Sequence, residues 1–172
     1  MSRPPATGLI VPVAAAAELV APWVARLPAA ARALPPHVTA LWPFLPVEAL
    51  DDAVELRLEQ LLTGVPAFTF ALTRIAELAD AAVLLPEPAA PFRALTGLLW
   101  SEWPECPPYG GAFDEVSPHV VIAVDPSPGE RAAIAAALEP RLPQPCRATE
   151  VLLVEETAAG ALRERRRFVL GG

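Results

Sequence analysis

Several residue types are rare or absent, and each shortage limits what the chain can do. Its 172 residues include two histidines, two cysteines and one tyrosine, and neither lysine nor asparagine. All thirteen basic side chains are therefore arginine, a bias that we attribute to genomic codon usage. With 20 acidic residues, the net charge is −7. Because proteins that hold long nucleic acids rely on many basic contacts to phosphate, this balance argues against an extended nucleic-acid surface.

Cysteine is too scarce and too scattered for a disulfide framework or a zinc site. Cys106 and Cys146 lie far apart and form no CxxC pair. Structural zinc needs four clustered ligands, so we predict no metal and no cofactor. Two reduced thiols are typical of a cytoplasmic protein.

Long hydrophobic runs are also missing, although 53% of the residues are hydrophobic. No stretch reaches the roughly eighteen uncharged apolar residues of a membrane span. Residues 9–17, LIVPVAAAA, resemble the core of a signal peptide, but Pro12 interrupts the run and Glu18 follows it. We favour a strand followed by a helix. The sequence predicts a soluble, cytoplasmic protein without membrane contact, and it leaves the oligomeric state open.

The length suits one substantial domain, and we predict a single bilobal domain over residues 1–172. Strands are predicted where short β-branched or alternating runs occur, at 7–13, 37–42, 67–78, 81–85, 119–124, 147–155 and 162–170. Helices are predicted from apolar periodicity, composition and capping residues, at 14–27, 47–62, 92–103 and 127–138.

These predicted elements occur in a repeated order. A strand with the letters PHV, an amphipathic helix and two further strands fill residues 37–85 and again 119–170. A period of this length exceeds any solenoid unit and indicates two similar lobes related by a pseudo-twofold axis. Because hairpins dominate the connections, we expect an α+β fold. Its antiparallel-rich sheets carry helices on their outer faces and surround a central cleft.

Both histidines lie in the repeated strands. Residues 35–44 read PPHVTALWPF, and residues 117–124 read SPHVVIAV. Alternate residues of a strand share a face. Two histidine faces are therefore predicted, made by His37, Thr39 and Leu41 and by His119, Val121 and Ala123. The intervening residues, which include Trp42 and Val124, are predicted to face the core. Twofold symmetry would bring the two histidine faces to one cleft.

Two imidazoles across a cleft suit the cleavage of a phosphodiester. Since the unperturbed pKa of histidine is near 6.5, one ring can be neutral and accept a proton while the other is charged and donates one. Each such role contributes roughly 10²–10⁴-fold to a rate. A hydroxyl two residues from a histidine can bind a non-bridging phosphate oxygen.

The stretches PHVTALWPF and SPHVVIAV resemble the paired H-x-[T/S] motifs of the two-histidine (2H) phosphoesterase superfamily. Within it, the chain resembles the 2′-5′ RNA ligase-like group that includes RNA 2′,3′-cyclic phosphodiesterases, over nearly its whole length. The resemblance implies that His37 and His119 are catalytic and that Thr39 binds phosphate. It implies metal-independent hydrolysis of 2′,3′-cyclic phosphates on RNA ends or small nucleotides, as in RNA processing.

The second motif departs from the family pattern, because Val121 stands where a threonine or serine is usual. Valine has nearly the shape of threonine but no hydroxyl, so half of the expected phosphate clamp is missing. Losing one such donor costs ~10²–10³ in rate at an oxyanion hole. Two hypotheses follow: a weakened cyclic phosphodiesterase, or a module that binds a nucleotide or RNA end without turnover. A third is an interaction domain with no phosphate ligand.

Further candidates lie near the motifs. Tyr109, in the loop PPYGGAF, could stack on a base or simply belong to a turn, and Phe44 could line the rim of the cleft. Arginines alternate in RERRRF near the C-terminus, at Arg163, Arg165 and Arg167. They either present guanidinium groups to phosphate or form the solvated face of an edge strand.

Overall fold

The computed structural model describes residues 4–113 and 115–172 and confirms the predicted α+β class. Its strands are β1 (Thr7–Pro12), β2 (His37–Leu41), β3 (Phe68–Leu78), β4 (Ala81–Glu87), β5 (Val120–Val124), β6 (Gln144–Ala148), β7 (Glu150–Glu156) and β8 (Leu162–Val169). Its α-helices are α1 (Ala17–Val20), α2 (Asp52–Thr63), α3 (Ala90–Glu102) and α4 (Pro128–Leu138).

The strands form one eight-stranded sheet in the order β6-β3-β4-β5-β2-β1-β7-β8, with every neighbouring pair antiparallel. We call β2, which begins at His37, and β5, which begins directly after His119, the two histidine strands; they are neighbours at the centre of the sheet, where Val38 pairs with Val120. Four strands therefore lie on each side of this contact, as the predicted two-lobed architecture requires. Each predicted repeat contributes strands to both halves, since β2 lies in one half and β3 and β4 in the other. The repeat itself stays a prediction.

Helices cover one face of the sheet and form a single core with it. The apolar core residues of α2, α3 and α4 are spaced three or four apart: Leu58, Leu62, Phe92, Leu95, Leu99, Ile134 and Leu138. They pack against the strand residues Val38 and Val120, both fully buried. The predicted strand faces are thus correct at these positions, and the histidines point to the side away from this core.

After the histidines, the alternation of side chains between the two faces of the sheet fails at the same position in both histidine strands. The register skips Ala40 in β2 and Ile122 in β5, so each strand contains a β-bulge three residues after its histidine. The predicted placement of Leu41 and Ala123 on the histidine face is therefore wrong, because both are buried in the core.

The predicted strand 147–155 is in fact two strands. Only Thr149 separates β6 from β7, yet β6 pairs with β3 while β7 pairs with β1 and β8. The sheet curls enough for one residue to connect its two halves. The change from one half of the sheet to the other at Thr149 could not be seen in the sequence, because Ala148 and Val151, on either side of it, are both fully buried.

Capping residues set the start of α2 and α4, and a proline limits the first predicted helix. Residues 14–27, predicted as one helix, form short 3₁₀ turns around α1, since Pro22 cannot continue a regular helix. Helix α2 begins after Asp51, whose carboxylate accepts a hydrogen bond from the Val54 amide at 2.9 Å. Helix α4 begins after Ser127, as predicted, with a complete capping box.

No helix within residues 4–113 and 115–172 is long and apolar enough to cross a membrane.

Candidate active site

A cavity of about 350 Å³ lies between the two histidine strands and residues 17–36. His37, Thr39, His119 and Val121 all line it. The four residues that the sequence singled out are thus brought together, although they come from segments about eighty positions apart.

Both imidazoles are held in the same way. The Nδ1 atom of His37 lies 2.9 Å from the Pro35 carbonyl oxygen, and that of His119 lies 2.8 Å from the Ser117 carbonyl oxygen. Because a carbonyl can only accept, each Nδ1 carries the hydrogen and donates it. Nε2 is then the nitrogen left to accept or deliver a proton in each ring.

The surroundings of His37 favour its neutral form. Burial lowers the pKa of His37 below its ordinary value, the hydrogen bond to Pro35 opposes this effect, and the nearby His119 lowers the pKa further. The two imidazoles line the same cavity.

The antiparallel pairing crosses the two motifs. Because Val38 pairs with Val120, Thr39 lies toward His119 and Val121 lies toward His37. Each histidine therefore has the third residue of the other motif as its neighbour. His119 has a hydroxyl beside it, whereas His37 has an isopropyl group that contributes to its apolar surroundings.

Tyr109 lies beside Thr39. Its backbone amide donates to the Trp42 carbonyl at 2.5 Å, and its backbone has a positive φ of 51°. The Tyr109 phenol and the Thr39 hydroxyl share a hydrogen bond. Burial raises the pKa of Tyr109, and this hydrogen bond partly opposes the rise. Tyr109 is thus half-buried against the first motif, where it also meets the Phe113 ring edge to face at 5.6 Å between centroids.

Two aromatic residues of the first motif do not lie where the sequence suggested. Phe44, expected at the rim of the cleft, is only 5% exposed and packs edge to face against Trp103 in the core. Trp42, expected in that core, packs instead against a separate cluster of Ile10, Leu152 and Val154 on the other side of the sheet. The bulge at Ala40 shifts the alternation of side chains by one residue, which explains why Trp42 lies on the side of the sheet opposite the predicted one.

The arginines of β8 are occupied by carboxylates, which favours the edge-strand interpretation. Arg163 and Arg165 both bind Glu155, at 2.7 and 3.0 Å, and Arg167 binds Glu150 at 2.8 Å. Strand β8 is the edge of the sheet, and another bulge, at Arg165, interrupts the predicted alternation.

Sequence reasoning missed the third wall of the cavity, residues 17–36. Apart from the two histidines and Thr39, every lining side chain among the described residues is apolar. The only signal was the excess of alanine, valine and leucine between β1 and β2, which also fits an ordinary buried helix.

The sequence profile of the 2′-5′ RNA ligase superfamily matches residues 11–160, which include both histidine motifs. The chain belongs to this superfamily. No curated protein matches the chain significantly.

Solved structures show that the chain has the fold of LigT. Escherichia coli LigT complexed with 3′-AMP is 19% identical, with a TM-score of 0.61 over 99% of this chain and 100% of that one. LigT complexed with ATP is 20% identical, with a TM-score of 0.60 over the same shares. TT0787 of Thermus thermophilus is 17% identical, with a TM-score of 0.62 over 97% of this chain and 98% of that one.

Proposed function

We propose that this superfamily member is a metal-independent cyclic phosphodiesterase in which His37 is the general base and His119 the general acid. The observation that carries the proposal is the pair of imidazoles in one cavity, each tied through Nδ1 to a carbonyl and each retaining Nε2 for proton transfer. The nucleotides in the LigT complexes, 3′-AMP and ATP, support a small nucleotide or an RNA terminus with a cyclic phosphate as the substrate.

The roles of the two rings follow from their surroundings. His37 is the ring that burial keeps neutral, so its Nε2 takes a proton from the attacking water. The water oxygen bonds to phosphorus as the bond to one ribose oxygen breaks. His119 delivers the proton from its Nε2 to that departing oxygen, and a phosphomonoester remains. Thr39, which lies toward His119, donates its hydroxyl hydrogen to a non-bridging oxygen.

The test is hydrolysis of the four 2′,3′-cyclic nucleotides and of oligonucleotides ending in a cyclic phosphate, with the products resolved as 2′- or 3′-monophosphates. We expect one regioisomer, because only one ribose oxygen can lie beside His119. We also expect a rate that is unaffected by a chelator. A rate abolished by chelation, or an equal mixture of isomers, would contradict the mechanism.

A second function, binding without turnover, is favoured by one observation. Val121 lines the cavity at the position of the second phosphate-binding hydroxyl. If the natural chain binds 3′-AMP but hydrolyses no cyclic phosphate, and Val121→Thr hydrolyses it, the binding function is correct.

A further inference from the structure

The wall that faces the histidines is a continuous apolar surface. It consists mainly of small and branched side chains between β1 and β2, including Val20, Ala21, Val24, Leu27, Ala31 and Leu34. Val121 and Val124 of β5 extend it on the other side. Val24 lines the cavity and is 43% exposed. Partly hydrated apolar side chains beside a reactive centre favour an apolar ligand group.

This wall presents no cation to a ligand. Its two arginines, Arg26 and Arg32, point elsewhere. Arg26 donates to the Asp125 carbonyl oxygen at 2.7 Å and pairs with Glu130 at 2.9 Å. Arg32 donates to the carbonyl oxygens of Leu27 and Ala25, at 3.1 and 2.9 Å.

These contacts also hold the wall in place. The Arg26 pair attaches it to the end of β5 and the start of α4, while the Arg32 bonds tie its own turns together. Among the described residues, no arginine lines the cavity, so the two histidines are its only lining side chains that can carry a positive charge. That suits one phosphate group and offers nothing to a second.

We infer that the substrate is a small cyclic phosphodiester with a single phosphate, whose organic part is apolar and lies on this wall. The inference rests on the proposed function and narrows it to a substrate class. The histidines and Thr39 hold the phosphate, and the wall binds the carbon skeleton by removing it from water. Oligonucleotide ends, which carry further phosphates, fit the cavity poorly.

The test is a ladder of cyclic phosphates of 1,2-alkanediols, from ethanediol to octanediol, compared with the 2′,3′-cyclic nucleotides and a cyclic-phosphate-ended trinucleotide. We expect kcat/KM to rise by up to about fourfold for each methylene that reaches the wall. We expect the trinucleotide to be the poorest substrate. Val24→Gln should remove this dependence of kcat/KM on chain length. Val169→Gln is the matched control, because Val169 is a 69% exposed valine on β8 that does not line the cavity.

A binding measurement separates this inference from the proposed function. Linear alkyl phosphates from ethyl to octyl should raise the melting temperature of the protein increasingly with chain length, and Val24→Gln should remove the increase. If nothing is cleaved but this trend is found, the proposed function is wrong and the apolar site stands. If cyclic nucleotides are cleaved and neither ladder depends on chain length, the function stands and the inference is wrong.

Discussion

The two histidine strands are alike in backbone and unlike in surroundings. Each ring donates to the carbonyl two residues before it, and each strand bulges three residues after its histidine. The third residue of the motif differs, since β2 carries Thr39 and β5 carries Val121. Because the strands run antiparallel, each of these residues neighbours the histidine of the other strand: the hydroxyl is near His119 and the isopropyl group is near His37.

Under the proposed mechanism, this crossed arrangement explains how two similar strands could supply a base and an acid. Apolar surroundings disfavour a charged imidazole, so the ring beside Val121 is the one suited to be neutral. A hydroxyl beside the other ring can hold the phosphate oxygen next to the proton donor. In the mechanism that we propose, the missing hydroxyl has two effects: it weakens the binding of the phosphate, and it favours the neutral form of the base.

The largest expected effect on activity comes from removing the imidazole ring of either histidine. His37→Ala and His119→Ala should each lower kcat by ~10²–10⁴, because each removes one proton transfer. The double variant should lose less than the product of the two factors, since the rings act together. Single-turnover rates with a 2′,3′-cyclic nucleotide measure this. Either single variant with an unchanged rate would rule out two-histidine catalysis.

The next largest effect concerns the third motif positions. Val121→Thr should raise kcat by up to ~10²–10³ by restoring a donor to the phosphate, and Thr39→Val should lower it by a similar factor. Both exchanges keep the side-chain shape, so folding should be unaffected. The control is the double exchange, Thr39→Val with Val121→Thr, which keeps one hydroxyl and moves it beside His37. Equal rates for all four proteins would show that neither position touches the phosphate.

Much of this site could be predicted from the sequence, because its information is local. A histidine, a following hydroxyl and a period-two alternation are read directly from adjacent letters, and they correctly indicated that both histidines point away from the core. The element order likewise sufficed to predict an antiparallel α+β architecture with a central cleft.

What could not be predicted depends on long-range pairing. The bulges at Ala40 and Ile122 are visible only against the partner strands β1 and β4. The first moved Trp42 out of the core, and the second moved Val124, which lines the cavity instead. The division of residues 147–155 into two strands depends on the strands with which β6 and β7 pair. The apolar wall required knowing that residues 17–36 return over the histidines.

A smaller effect should appear in the pH profile. Because the pKa of His37 is lowered and the base must be neutral, kcat/KM should rise with pH on an acidic limb centred below about pH 6.5. Val121→Thr should move the acidic limb toward higher pH, since a hydroxyl beside His37 makes the charged ring less unfavourable. Thr39→Val is the control and should leave that limb in place. An acidic limb above pH 6.5 in the natural protein would reverse the assignment of base and acid.

The smallest effect concerns folding rather than catalysis. Between the pKa of His37 in the folded protein and about pH 6.5, the folded protein binds fewer protons at this residue than the unfolded chain does, because folding lowers the pKa. Its contribution to the free energy of unfolding is therefore fully present above about pH 6.5 and is lost as the pH falls through the folded value. Urea unfolding between pH 5 and 8 should show a shallower loss of stability at low pH for His37→Gln than for the natural chain. His119→Gln should keep most of the contribution of His37, because burial lowers the pKa of His37 more than the charge on His119 does. Parallel curves for the natural chain and His37→Gln would mean that His37 is as well solvated in the folded protein as in the unfolded one, and the neutral base would lose its physical support.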